Sequence, residues 1–267
     1  VAAAVVRPES EAALVAVVQQ AAAAGRNLVP LSAGSGVCGG IRPGPEDVIL
    51  DLKGLRRLDV RPDEGVVHCG SGVMGRHAEE ACNRHGYTIG HFPSSIACSA
   101  VGGWVAARGA GQLSSRYGKI EDICVGARAV LADGSLHQAW RGDPALDEWV
   151  GNEGALAIIS EATLRIRPIR QGWTFAAFMA PNLRAGLAAA RQVVRQRPVA
   201  SLVRLYDPID SRMALSRGGG GLIKRLDQLL MAPRLARWGG DRLMKRCLLV
   251  FGWEGTGPAW EAMRRAA

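Results

Sequence analysis

Two rhythms of apolar residues alternate along the first third of the chain. The runs 4–8, 27–31 and 48–52 are short and apolar, flanked by Pro, Asn and Asp, which predicts strands, the second of them buried. Between the first two, Ser10 precedes Glu11 and an apolar face that recurs at helical spacing as far as Gly25. A Ser N-cap, an acid in the first turn and a Gly stop predict a helix there, so a β-α-β unit opens the chain. Two strand-like runs then flank the turn Pro62-Asp63-Glu64-Gly65, and the stretch Gly75 to Gly86 reads as a helix closed by glycine. The run from Glu121 to Ala139 predicts a strand, an Asp133-Gly134 hairpin turn and a return strand. Glu161 to Ile169 alternates and predicts one more strand. Beyond Pro168 the pattern restarts as strand (173–180), helix (182–196), strand (200–207) and strand (247–255), which places a domain boundary near residue 170.

Composition narrows the class. The 267 residues are long enough for a sizeable core, and 34 Gly with 13 Pro describe a loop-rich soluble protein. No apolar run reaches the length of a bilayer span, and the first residues lack the basic start and apolar core of a signal peptide. The expectation is a fragment of a cytoplasmic protein. The six cysteines form no C-x-x-C pair, which argues against structural zinc and against a disulfide framework. The net charge of +9 is concentrated: between Arg217 and Arg246 there are eight basic and two acidic residues. Leucines at helical spacing run through that segment, so 217–246 is expected either to touch an anionic membrane surface or to pack its leucines on the protein. Few aromatics and no reading motif exclude a nucleic-acid partner.

Candidate chemistry starts at Gly34-x-Gly36-x-x-Gly39, the spacing of a dinucleotide fingerprint. A Rossmann loop needs its third glycine to open a helix, whose N-terminal amides hold the pyrophosphate. Here two prolines and the next strand follow within a few residues, so that reading fails, and with it Asp51 as a ribose-binding acid. What remains is an irregular glycine loop whose backbone N–H groups can cradle an anion. Two further stretches of small residues, 90–122 and 151–164, repeat the theme. The first offers Ser94, Ser95 and Ser99, a relaxed backbone at Gly102-Gly103, and one charge at Arg108. Three such loops point to a long ligand with a phosphate centre.

At these residues the chain resembles a known family. Pro30-x-x-x-Gly34-Ser35-Gly36, Pro93-Ser94-Ser95, VGGWVAARGAG (101–111), RYGKIED (116–122) and NEGALAIISEATLRIRP (152–168) are similar to the FAD-binding domain of the vanillyl-alcohol oxidase, or PCMH-type, flavoproteins. Within that superfamily they look most like the alkyldihydroxyacetonephosphate synthase-like branch. The resemblance implies an α+β fold: a PCMH-type FAD-binding domain of two α+β subdomains over residues 1–170, then an incomplete α+β cap domain over 171–267. It implies FAD as cofactor, with the pyrophosphate on the loop Ser32, Ala33, Gly34, Ser35, Gly36 and Val37, and with Pro30 and Leu31 among the cofactor-binding residues. Ser94, Ser95, Ile96, Ser99, Ala100, Gly102, Gly103, Ala107, Arg108, Gly109 and Ala110 would be cofactor-binding too. With Glu153, Gly154, Ala155, Leu156, Ala157, Ile158 and Ile159, these stretches would contact the flavin, ribityl or adenosine portions. Arg204 matches an arginine that family members place in the active site, where a guanidinium clamps a phosphate or carboxylate.

Ser35 stands where some relatives attach flavin through histidine, so noncovalent FAD is expected. The tyrosine and histidine cluster of the synthase branch belongs downstream of residue 267, and His91 reads as packing, which leaves no general base to nominate. Three functions stay open. One is an FAD-dependent oxidoreductase acting on a hydroxy acid, an alcohol or a lipid-like substrate. Another is a synthase-like transferase of ether-lipid synthesis with no net redox. The third is a non-catalytic docking scaffold. Small-molecule or lipid-like substrates, peripheral membrane contact and a homodimer are the partner expectations, and no metal is expected.

Overall fold

The opening helix forms as its sequence dictates. In the computed structural model, which describes residues 2–195, 199–218 and 245–255, Ser10 caps helix α1 (Glu11–Ala23) by accepting the Ala13 N–H at 3.1 Å. Leu14 and Val18 on its inner face pack with Leu50, Leu52, Leu55, Val130 and Ile158. Each such fully buried aliphatic side chain contributes about 1.5–3 kcal/mol. The helix crosses from β1 (Ala4–Val6) to β2 (Leu28–Leu31), yet those strands do not pair with each other. Both run parallel to β3 (Val48–Asp51), which sits between them. Residues 32–47 therefore make a parallel crossover without a helix, and their backbone is left irregular.

The chain next forms a five-stranded sheet in the order β4-β5-β9-β7-β8. Its strands are β4 (Leu58–Arg61), β5 (Val66–Gly70), β7 (Cys124–Val130), β8 (Leu136–Trp140) and β9 (Ile158–Arg165), all antiparallel to their neighbours. The last of these is central and buried on both faces, so the alternation of the sequence around 161–169 does not become an inside-outside pattern. Short β6 (Tyr87–Thr88) pairs with β10 (Arg167–Pro168). Glu121–Ile123, expected to begin a strand, instead belongs to the helical turn α5 (Ile120–Ile123).

The helices of this part are α2 (Gly75–Arg84), α3 (Val101–Ala106), α4 (Ser114–Tyr117) and α6 (Pro144–Trp149). The third, α3, corrects the sequence expectation of open backbone at Gly102. A Cβ on Gly102 would stand 2.5–2.8 Å from Ser71, so this glycine permits helix–strand contact. The same logic applies at Gly75, where a Cβ would fall within the Trp104 ring, 2.0 Å from its nearest atom.

The chain divides into two units, Val1–Ile169 and Arg170–Ala267. In the second, β11 (Trp173–Ala180), β12 (Leu202–Leu205) and β13 (Cys247–Glu254) form an antiparallel sheet in the order β11-β13-β12. Helix α7 (Leu183–Arg195) covers one face, where Val193 packs with Leu249, Phe251 and Trp253. Helix α8 (Pro208–Gly218) follows β12. Most of the basic segment 217–246 lies outside the described residues. Among the described residues no helix is long and apolar enough to cross a membrane.

Candidate cofactor site

Three loops of the first unit meet around one serine. Ser71, fully buried just after β5, donates its N–H to the Ser160 carbonyl (2.9 Å) and its hydroxyl to the Ile159 carbonyl. Its own carbonyl accepts the Ser32 hydroxyl (2.8 Å) and the Gly102 N–H (3.2 Å). Ser71 thus ties the glycine loop after β2, the N-terminus of α3 and the start of β9 to one point. Composition gave it no prominence. The only local signal is the Gly70-Ser71-Gly72 triplet, where a Cβ on either glycine would lie 2.4–2.5 Å from a backbone oxygen.

The first loop is built to receive an anion. Among the described residues, no backbone N–H from Ala33 to Arg42 donates a hydrogen bond within the chain. Gly34, Gly36 and the run from Val37 to Arg42 are exposed, so these donors are open to a ligand. Gly34 and Gly39 adopt positive φ (69° and 66°), a conformation that glycine takes without strain and that keeps the loop irregular. The fit with a pyrophosphate is direct: many open donors and no carboxylate bonded within the loop. Asp51, which a Rossmann reading would have given to a ribose, is instead taken by Arg7 at 2.6 and 2.8 Å and by the Lys53 N–H at 3.1 Å. Burial pushes its carboxyl up, but those partners outweigh it and hold it below the ordinary carboxylate value.

The third loop closes on the first. A Cβ on Gly154 (φ 88°) would lie 2.7 Å from the Pro30 ring, and one on Gly40 would lie 3.6 Å from the Glu153 carboxylate. Glu153 and Arg108 are the two non-glycine residues at positive φ among the described residues, at 51° and 49°. Each such backbone costs on the order of 1–3 kcal/mol and persists only where its surroundings impose it. Here the surroundings are mutual: Gly151 N–H donates to Val105 and Glu153 N–H to Ala106, both at 3.0 Å. The exposed Arg108 guanidinium donates to the Val150 carbonyl (2.8 Å) and lies 3.4 Å from Glu121, so its charge already has partners within the chain.

The residues nominated from sequence divide by where their side chains lie. Gly34, Gly36, Val37, Ser94, Ala107, Ala110, Ala155 and Leu156 are exposed on the facing loops. Pro30, Leu31, Ser32, Ala33, Ser35, Ser95, Ile96, Gly103, Gly109 and Gly154 are half-buried there. Ser99, Ala100, Gly102, Ala157, Ile158 and Ile159 are buried. Ser99 accepts the Trp104 indole N–H at 2.7 Å, and Ile158 belongs to the core under α1. Beneath the second loop lies His91, 1% exposed, edge-on to Trp104 at 4.6 Å between ring centroids. Neither of its ring nitrogens has a hydrogen-bond partner, and burial lowers its pKa to about 4. Arg204 lies in the second unit, exposed on β12, with its guanidinium donating to the Tyr206 hydroxyl at 3.1 Å. Among the described residues no cluster could hold a metal ion.

Known proteins give this geometry a family. Residues 2–139 match the model of the FAD binding domain. Alkyldihydroxyacetonephosphate synthase of Trypanosoma brucei brucei is 29% identical over 240 residues, covering 86% of this chain and 39% of that protein. The uncharacterized FAD-linked oxidoreductase YgcU of Escherichia coli (strain K12) is 30% identical over 226 residues, 80% of this chain and 46% of that protein. A solved alkyldihydroxyacetonephosphate synthase superposes with a TM-score of 0.80 at 25% identity, over 98% of this chain and 49% of the other. The chain thus spans less than half the length of each of these relatives. With the α+β architecture and the three facing loops, the match to the FAD-binding model places this chain in the FAD binding domain family, the PCMH-type flavoproteins to which alkyldihydroxyacetonephosphate synthase belongs, with FAD as its cofactor.

Proposed function

We propose that the protein is an FAD-dependent oxidoreductase that holds its cofactor noncovalently between the loops 30–37, 94–110 and 153–159. The observation that carries this reading is the run of unpartnered backbone N–H groups from Ala33 to Arg42, anchored through Ser32 on Ser71. Backbone amides left without partners can bind a diphosphate without the ordering that flexible side-chain cations need. The noncovalent mode rests on the loop chemistry. The loop contains no histidine, and His91 is enclosed by Trp104 and Gly109 with its ring held neutral. Bound FAD supplies two-electron chemistry at its isoalloxazine; the chain supplies binding, orientation and exclusion of water.

Substrate anchoring falls to Arg204 in this reading. By strand register Arg204 shares the face of its sheet that is turned from α7 with Trp173, Phe175, Met179 and Val250. Trp173 and Phe175 stack at 5.4 Å between centroids and remain 42% and 57% exposed. A guanidinium beside an apolar aromatic platform suits an anionic substrate with an apolar portion. That platform also favours a second reading, a synthase-like transfer on a lipid-like substrate with no net redox.

Both readings meet one experiment on the complete protein. Purified protein is expected to carry a flavin spectrum, and a folded colourless protein that takes up no added FAD would leave only a docking scaffold. Anaerobic bleaching of the flavin by a hydroxy acid or alcohol supports the oxidoreductase; turnover without bleaching supports the transferase. Arg204→Ala is expected to raise KM while FAD stays bound, and unchanged kinetics would remove Arg204 from the site.

A further inference from the structure

We propose that Glu79 is the positioning residue of the second flavin loop, acting through Thr88 and Ile89 without touching the cofactor. The inference rests on the reading that residues 94–110 meet the flavin. Helix α2 holds both ends of the segment 88–99, which runs from the end of β6 into that loop. At its N-terminus, Gly75 N–H donates to the Ser99 carbonyl (2.9 Å) and Arg76 N–H to the Ile96 carbonyl (3.0 Å). One turn later Glu79, 5% exposed, reaches the other end of the same segment. It accepts the Ile89 N–H at 3.0 Å on Oε2 and the Thr88 hydroxyl on Oε1. Thr88 Oγ1 in turn accepts the Gly90 N–H at 3.0 Å. Asn83, with its amide turned to suit its neighbours, adds donors to the Tyr87 carbonyl (2.9 Å) and to Glu79 Oε1 (3.2 Å).

The residue type follows from this demand. Two adjacent donors, one N–H and one O–H, enter the protein interior just where β6 ends after two residues. No strand partner takes them, and each would be costly if left unpaired. A carboxylate offers two acceptor oxygens on one rigid plane and satisfies both. Gly90 then leaves no slack, since its φ of 75° brings its α-carbon onto the Tyr117 ring, where a Cβ would lie 2.3 Å away. The path into His91 and on to Ser94 and Ser95 is thereby set at Glu79. A displacement there of a fraction of an ångström reaches the groups that face the cofactor.

Four variants of the full chain test this, each measured for FAD Kd, bound-flavin absorption and melting of the FAD-free protein. Glu79→Leu keeps the volume and loses both acceptors; it is expected to weaken FAD binding by about tenfold or more and to shift the flavin bands. Glu79→Gln is expected to recover most of both, since it keeps one acceptor for Ile89 and offers an N–H to Thr88. Thr88→Val removes one of the two bonds to Glu79 and with it the acceptor of the Gly90 N–H; it should also weaken FAD binding and shift the flavin bands, it carries the test if Glu79→Leu does not fold, and an unchanged Kd there overturns the proposal. Glu79→Leu with wild-type Kd and spectrum also overturns it, as does a lowered melting point with an unshifted spectrum, which would reduce Glu79 to general stability. Ser94→Ala/Ser95→Ala separates the two layers of inference. If that variant binds FAD as wild type does, the reading of the loop fails; if it binds weakly while Glu79→Leu is normal, only the role of Glu79 fails.

Discussion

His91 is expected to make the first unit sensitive to mild acid. Its ring is enclosed by Trp104 on one side and Gly109 on the other, where a Cβ would lie 3.5 Å from Nε2. No acceptor meets either nitrogen, so protonation would bury a charge with nothing to stabilise it. Burial accordingly lowers the pKa from 6.5 to about 4. The unfolded chain binds the proton first as pH falls, so this contribution is complete above pH ~6.5 and is lost progressively down to pH ~4. At about 1.4 kcal/mol per pH unit the whole loss is about 3 kcal/mol, of which about 2 kcal/mol is gone at pH ~5. The comparison that isolates it is His91→Leu, which keeps the volume and cannot titrate. Urea unfolding of both proteins at a series of pH values cancels the carboxylates common to the two. At pH ~7.5 the variant should lie within about 1.5 kcal/mol of wild type, because it removes two unpaired buried nitrogens and gives up one ring contact. Towards pH ~5 wild type should fall relative to the variant by about 2 kcal/mol. Parallel curves would refute the reasoning and require a hidden partner for the imidazole.

Two other outcomes follow from the same frame. Glu11 on α1 and Arg128 on β7 form a two-pronged ion pair at 2.8 and 2.6 Å, joined by the Ser160 hydroxyl at 2.6 Å. The Arg128 hydrogen bond chiefly holds the Glu11 carboxyl below its ordinary value. A Glu11→Ala, Arg128→Ala double-mutant cycle in urea is expected to give a coupling of about 1 kcal/mol, and a coupling near zero would mean the pair is decorative. Cys38 and Cys98 are the exposed thiols and both lie in the candidate loops, whereas burial pushes Cys82 up to about 12 and Cys124 to about 11. In the native protein a thiol reagent should label Cys38 and Cys98 first, and saturating FAD should slow both by about tenfold. Labelling that ignores FAD would take those loops out of the site.

Local physics made much of the frame legible from the sequence. Ser10 and Gly25 bound a helix because capping and a glycine stop act within a few residues, and the Pro62–Gly65 and Asp133-Gly134 turns specify hairpins on their own. The rejection of a Rossmann loop was legible too, since two prolines after Gly40 leave no room for a crossover helix. The loop chemistry beyond that depends on partners far along the chain. Gly102 looked like slack and is a contact surface for Ser71; Arg108 looked like a charge for the ligand and is held by Val150 and Glu121. Ile158 and Ile159 looked like part of a binding loop and are core strand. Beyond the glycines that flank Ser71, neither Ser71 nor Glu79 is marked by its neighbours in sequence, because their partners lie 88 and 10 residues away. Sequence alone pointed to a phosphate-bearing ligand and to glycine-rich backbone as the place to look for its site. Only the tertiary structure decided which of those residues are open to it, because burial and hydrogen-bond satisfaction are properties of packed neighbours and not of residue type.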